Sequence, residues 1–257
     1  MTTKIVLIVD DQAFLRKTMA KALTNDGAYR VLEASDGVAA IDLMRDATTK
    51  LGAAAGTDLM DSQPAAGAEI DCIVSDINML PMNGLEFVKA IRIGLGSVAR
   101  EIPVIMLTGH AEKHFLAAAI ALDVSGFLVK PISGIVFRER IERAIATPIA
   151  LKPPGDYATL IVPDVDITDR WASDAAAAGN VRPVRAADLA GRNSEHAPHM
   201  VALADLKTGD RLSEDLLTDE GVMVVPKGTR VAPALMAALK DLSEIVTLQP
   251  QVAVFHA

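Results

Sequence analysis

The chain has one cysteine in 257 residues, and only six phenylalanines, two tyrosines and one tryptophan. A lone cysteine excludes an intramolecular disulfide and suits a reducing, cytoplasmic setting. With aromatics at 4 % and hydrophobic residues at 51 %, a core must be built from Ala, Val, Ile, Leu and Met. Positive charge is scarce as well: the net charge is −8, divided as −3 over residues 1–146, −2 over 147–199 and −3 over 200–257. No segment offers a basic surface, so neither nucleic acid nor an anionic membrane is an expected partner. No apolar stretch reaches the roughly 20 residues of a membrane span. The opening "MTTKIVLIVDD" has too short an apolar core for a secretory signal. No repeat recurs at a fixed period.

What is present, over residues 1–146, is an alternation of strand and helix patterns, the rhythm of a parallel α/β sheet. "KIVLIV" (4–9) is a continuous apolar run, as expected of a strand covered on both faces. Residues 12–26 have helical spacing and Gly27 is placed to end that helix. "YRVLEA" (29–34) reads as a strand, and 35–47 as a helix capped by Ser35 or Asp36. Strands at 70–75, 102–108 and 126–130 follow, with helices at 84–94, 111–123 and 132–146. Residues 48–69, rich in Gly, Ala and polar side chains, interrupt the rhythm and read as an exposed excursion. Cys72 falls inside an apolar run and reads as a small buried hydrophobe.

Residues 147–199 contain "KPPGD", "VRPV" and "GRNSEHAPH" and read as a largely irregular linker, in which "YATLIV" (157–162) or the stretch around Trp171 could dock locally. Residues 200–257 regain order: short apolar runs are separated by "KTGD", "TDEG" and "PKGT", and "PALMAALKDL" (233–242) is a helix with Pro233 at its start. A small α+β or mostly β module fits this pattern.

Ligands of open parallel sheets bind beyond the carboxyl ends of the strands. The polar residues expected at those ends are Asp10 and Asp11, Asp76, Thr108 and Lys130. Three carboxylates brought together repel one another unless a hard divalent cation joins them, and Mg²⁺, which takes few protein oxygens and keeps its waters, suits such a site. An added ammonium and hydroxyl make sense if further negative charge arrives, as a phosphoryl group would bring it. A carboxylate can itself be the nucleophile that accepts that group.

"VDD", "SDINMLPMNG", "MLTG" and "FLVKP", in that order, resemble the receiver domain of bacterial two-component response regulators over about residues 3–146. The resemblance implies a doubly wound, flavodoxin-like sheet of five parallel strands. It implies that Asp76 is the phosphoacceptor, that Asp10, Asp11, Asp76 and the backbone carbonyl of Asn78 hold Mg²⁺, and that Thr108 and Lys130 read the phosphoryl oxygens. Phe127 matches the aromatic that switches with Thr108, and the Lys130–Pro131 bond is expected to be cis. The donor would be a sensor histidine kinase or phosphotransfer protein. The fourth helix, fifth strand and fifth helix would form the face that meets a downstream protein or a second copy. Such a chain is a signalling phosphoacceptor rather than an enzyme. Leu80 stands where the family commonly has proline, and Pro81 follows it.

Other candidates read more plainly. His110 could border the phosphate or open a helix; His114 reads as a helix-surface residue, and His196 and His199 as solvated linker without further metal ligands nearby. Met79, Met82 and Met106 read as packing. Residues 200–257 resemble a small module found beside receivers and before HD-type phosphodiesterase domains. This points to an adaptor whose output is protein–protein contact. A transcriptional regulator with an unfamiliar DNA-binding tail, or a phosphate sink without output, are the alternatives; five basic against eight acidic residues in 200–257 argue against DNA.

Overall fold

The structure, a computed structural model, describes residues 3–25, 27–49, 70–95, 98–109, 113–163 and 198–255. Its N-terminal unit alternates strand and helix through β1 (Lys4–Val9), α1 (Ala13–Thr24), β2 (Tyr29–Ala34), α2 (Gly37–Thr49), β3 (Cys72–Asp76), α3 (Gly84–Arg92), β4 (Val104–Thr108), α4 (Lys113–Ala121), β5 (Gly126–Val129) and α5 (Gly134–Ala146). All five strands are parallel, in the order β2-β1-β3-β4-β5. The chain leaves β1 toward β2 and returns on the other side to β3, so the sheet reverses direction between β1 and β3. That crevice is where ligands of such sheets bind.

The strands carry apolar side chains on both faces, and the two-residue period sorts them. Leu7, Val9, Ile73, Val104, Met106 and Phe127 face the layer of α2, α3 and α4. Val6, Ile8, Cys72, Val74, Ile105, Leu107 and Leu128 face α1 and α5. Cys72 is fully buried, and burial pushes its thiol pKa up, which keeps it protonated and inert. Met79 and Met106 are likewise buried packing.

Local chemistry sets the helix entries. Asp36 caps α2 by accepting the N–H groups of Val38 and Ala39 at 2.9 and 3.0 Å. Asn83 and Glu86 form a reciprocal capping box at the start of α3. Gly27 takes φ +72° just beyond α1, a conformation that favours glycine. The excursion expected at 48–69 lies outside the described residues from 50 onward; residues 48–49 extend α2.

At the start of the irregular linker expected after α5, the stretch that could dock locally does so. Helix α6 (Pro154–Ala158) packs against α3, and Tyr157 is fully buried, its hydroxyl donating to Asp123 Oδ2 at 2.5 Å and accepting from the Lys152 N–H at 2.8 Å. Lys89 donates to the Leu160 carbonyl at 2.8 Å and Arg100 to that of Lys152 at 3.0 Å. One aromatic with a satisfied hydroxyl, helped by Leu151, Leu160 and Val162 against the core, turns a proline-rich stretch into a strap. Trp171 and His196 lie outside the described residues.

The C-terminal module has three antiparallel strands in the order β6-β10-β7, where β6 is His199–Ala202, β7 Arg211–Leu212 and β10 Gln251–Phe255. A hairpin of β8 (Leu216–Leu217) and β9 (Met223–Val225), together with helix α7 (Pro233–Leu242), completes it. The module packs on the first unit: α7 lies against β5 and β9 against α4. Leu212, Leu216, Val225, Leu239, Leu242 and Val254 continue the apolar layer that contains Phe115, Leu116 and Phe127.

Gly84 sits where no side chain fits. A Cβ there would lie 1.9 Å from the carbonyl oxygen of Asp76. Gly84→Ala is expected to lower stability by about 1–3 kcal/mol, since backbone on both sides must give way; a urea midpoint equal to that of the wild type would contradict this packing.

Candidate functional site

The site follows from register. Val9 pairs with Ser75, so the next residues, Asp10 and Asp76, emerge side by side at the carboxyl edge. Asp76 pairs with Leu107, and Thr108 lies one step further along. Thr108 in turn pairs with Val129, and Lys130 follows, its N–H donating to the Thr108 carbonyl at 3.0 Å. Residues separated by up to 120 positions are gathered by four adjacent strands.

Lys130 Nζ lies 2.8 Å from Asp76 Oδ2 and 3.0 Å from Asp10 Oδ2. The side chains of both acids are almost fully buried. The backbone completes their solvation: Gln12 N–H donates to Asp10 Oδ1 at 2.8 Å, and Ile77 N–H to Asp76 Oδ1 at 2.9 Å. Burial by itself lowers the Lys130 pKa, but the hydrogen bonds and charges of Asp76 and Asp10 outweigh it and raise the ammonium above its ordinary value of 10.5. The lysine is therefore cationic throughout the neutral range.

Asp11 is exposed at the mouth. One carboxylate oxygen from each of Asp10, Asp11 and Asp76 can be drawn so that all three lie within 4.8 Å of one another. Two buried acids share one lysine, and the third adds unbalanced negative charge. The donors are all hard oxygen, with one side open to solvent, and this fits a Mg²⁺ ion that keeps part of its water shell. Asn78 lies two residues beyond the end of β3 and is partly exposed.

Thr108 is fully buried, and its hydroxyl donates to the Gly109 carbonyl at 3.0 Å. Phe127 is buried on the α4 side of the sheet. The Lys130–Pro131 bond is cis, and so is Leu80–Pro81. His110 lies outside the described residues, as does the side chain of His114. His199 belongs to β6 rather than to a solvated linker.

Three features carry little signal in the sequence. Arg16 projects from α1, donates to the Asp10 carbonyl at 2.5 Å and pairs with Glu33 at 3.5 Å, pinning the loop that presents both acids. The face of α4, β5 and α5, where the resemblance implies a docked partner or second copy, is covered by this chain's own α7 and β9. At its centre Asp241 is buried against Arg140 and Arg143 of α5. The hint in the sequence is Asp241 itself, seven residues after Ala234 and three after Ala238, an acid on the apolar stripe of its helix.

Residues 6–142 match the family model of the response regulator receiver domain. Chemotaxis protein CheY1 of Helicobacter pylori is 32 % identical over 142 residues, covering 55 % of this chain and 97 % of that protein. The CheY homolog of Campylobacter jejuni is 31 % identical, covering 55 % and 92 %. Among solved structures, the chemotaxis response regulator CheY4 of Vibrio cholerae aligns over 56 % of this chain and 99 % of its own at 29 % identity and a TM-score of 0.43.

Removing the Lys130 ammonium would strand two buried carboxylates, so Lys130→Met is expected to lower stability by about 1–3 kcal/mol near neutral pH. Because the folded pKa is raised, this contribution is complete below the unfolded value of about 10.4 and is lost as pH rises through the folded value. The gap in unfolding free energy between wild type and variant should hold steady from pH 7 to about 10 and narrow beyond it. A gap that grows with pH would contradict the pairing.

Proposed function

Because the chain belongs to the response regulator receiver family, we propose that it takes a phosphoryl group onto Asp76 and passes the signal on by protein–protein contact. The observation that carries this reading is the lysine bridge: Lys130 Nζ touches both Asp76 and Asp10, beside a third carboxylate on Asp11. A buried acid held by an ammonium at a solvent-facing edge is placed to react with an anionic donor that it would otherwise repel.

The donor is a phosphohistidine on a sensor kinase or phosphotransfer protein. A carboxylate oxygen of Asp76 attacks phosphorus in line; the new P–O bond forms as the P–N bond breaks, and the departing imidazole nitrogen keeps the electron pair and takes up a proton. Asp10, Asp11, Asp76 and the carbonyl of Asn78 are the groups that would hold Mg²⁺. When bound, that ion neutralises charge on the phosphoryl oxygens and the acid cluster. Lys130 contributes the second positive charge and fixes the position of the Asp76 carboxylate. Thr108 has a hydroxyl now spent on a local carbonyl, so it can be redirected to a phosphoryl oxygen at the cost of one short-range bond. The Asp76 side chain is itself almost fully buried, which keeps bulk water from most of its surface.

Several features favour a contact-based output. The chain matches its curated relatives only over the N-terminal unit, so their name, chemotaxis protein, speaks for that unit and not for the module. The module is acidic, with eight acids against five bases over residues 200–257, and suits a protein partner better than DNA. Among the described residues no helix is long and apolar enough to cross a membrane. The chain is read as a cytoplasmic phosphoacceptor whose turnover is limited to gaining and losing one phosphoryl group.

Incubating the full chain with Mg²⁺ and a small-molecule phosphodonor tests this. Wild type should label; Asp76→Ala should not, chelation of Mg²⁺ should abolish labelling, and Lys130→Met should slow it on the order of a hundredfold. Equal labelling of wild type and Asp76→Ala would refute the assigned acceptor.

A further inference from the structure

The loop between β1 and α1 presents two of the three clustered acids, and Asp10 is held there on three sides. Its N–H donates to the Ala34 carbonyl at 3.2 Å, continuing the pairing of β1 with β2. Its Oδ1 accepts the Gln12 N–H at 2.8 Å. Its carbonyl accepts Arg16 Nη1 at 2.5 Å. The first two bonds are backbone business of a strand end and a turn. The third comes from a charged side chain one turn into α1.

Asp11 is placed differently. It is exposed, and among the described residues its carboxylate has no hydrogen bond or ion pair of its own. One of its oxygens nevertheless comes within 4.8 Å of oxygens from Asp10 and Asp76. A third carboxylate beside two others is pushed outward by like charge. Nothing on the Asp11 side chain resists that push, so its reach into the cluster depends on where the backbone of residues 10–12 is fixed.

Arg16 is suited to fix it. Its side chain is only 16 % exposed, and Nε lies 3.5 Å from Glu33 Oε2. Glu33 sits on β2, paired with Ile8 of β1. The guanidinium thus ties α1 to β2 and clasps the carbonyl at the point where β1 turns into the loop. A hydrogen bond from an ionised donor is roughly twice as strong as a neutral one. Glu33 also offsets most of the charge of Arg16, so the pair adds little net field at the acids. What it adds is position.

We infer that Arg16 is a positioning residue for the divalent cation: through the Asp10 carbonyl it holds the Asp11 backbone where that carboxylate can join Asp10 and Asp76 as a ligand. This rests on the reading of the acid cluster as a Mg²⁺ pocket. Two physical roles for Arg16 predict effects of opposite sign. As a bare charge near the cluster it repels a cation, so its removal tightens Mg²⁺ binding. As a brace it keeps a ligand in place, so its removal weakens binding. Groups that orient metal ligands are typically worth about 10–100-fold in affinity.

Isothermal titration of the metal-free full chain with MgCl₂, wild type against Arg16→Met, reads that sign. Arg16→Met should bind Mg²⁺ about tenfold more weakly. The loss should persist between about 0.05 and about 0.5 M KCl, since a short-range brace is not screened by salt. In the metal-free variant the Gln12 amide should exchange at least about fivefold faster while residues 4–9 stay protected. If residues 4–9 do not stay protected, Arg16→Gln replaces Arg16→Met with the same expectations. At saturating Mg²⁺ the variant should label with phosphodonor within about twofold of the wild-type rate, because the defect lies in metal affinity and not in the transfer step. A wild type that does not bind Mg²⁺ overturns the pocket and the inference together. A wild type that binds, with a variant that binds equally or more tightly, overturns the brace and leaves the pocket standing. Unchanged exchange at Gln12, a loss that vanishes at high salt, or slow labelling that persists at saturating Mg²⁺ each overturns the brace as well.

Discussion

One ammonium makes this structure possible. Asp10 and Asp76 are almost wholly shielded from water, and two carboxylates side by side in such a place repel each other and lose their hydration. Lys130 offsets both costs at once, with contacts of 3.0 and 2.8 Å. It can do so because the register of four parallel strands delivers three distant residues to one edge. The glycine at 84 keeps the loop beyond β3 pressed against the Asp76 backbone, and Arg16 holds the loop beyond β1. The rest of the N-terminal unit is scaffold for that contact.

Lys130 also ends the strand on which the C-terminal module sits. The strand has four residues, with the acid pocket at one end and the Asp241 cluster at the other. The module's buried carboxylate adds specificity to an otherwise apolar contact: it accepts only a partner that offers two guanidinium groups and an edge N–H together.

Much of this was readable from residue order. The apolar runs at 4–9, 70–75 and 102–108, the Gly and Asp punctuation between them, and the polar residues at their ends point to the sheet and to its edge, because continuous apolar runs and the turn residues that bound them are local signals. Helix 233–242 was legible for the same reason, from Pro233 and its apolar spacing. The strap was not, because Tyr157 is held by Asp123, thirty-four residues away, and no local pattern encodes that bond. The module's seat was hidden too. Asp241 stands out as an acid on the apolar stripe of its helix, but its partners Arg140 and Arg143 lie about a hundred positions earlier and no local pattern points to them. Charge pairs across elements have no sequence period, whereas strands and helices do.

The central claim is that the carboxylate bridged by Lys130 is the one that becomes an acyl phosphate. Trapping measures this directly: the full chain is treated with Mg²⁺ and phosphodonor, reduced with borohydride, digested and mapped by mass spectrometry. Reduction converts an aspartyl phosphate to homoserine, and the account predicts a single homoserine, at position 76. Homoserine at another acid, or none in a chain that has demonstrably taken up phosphate, would contradict it.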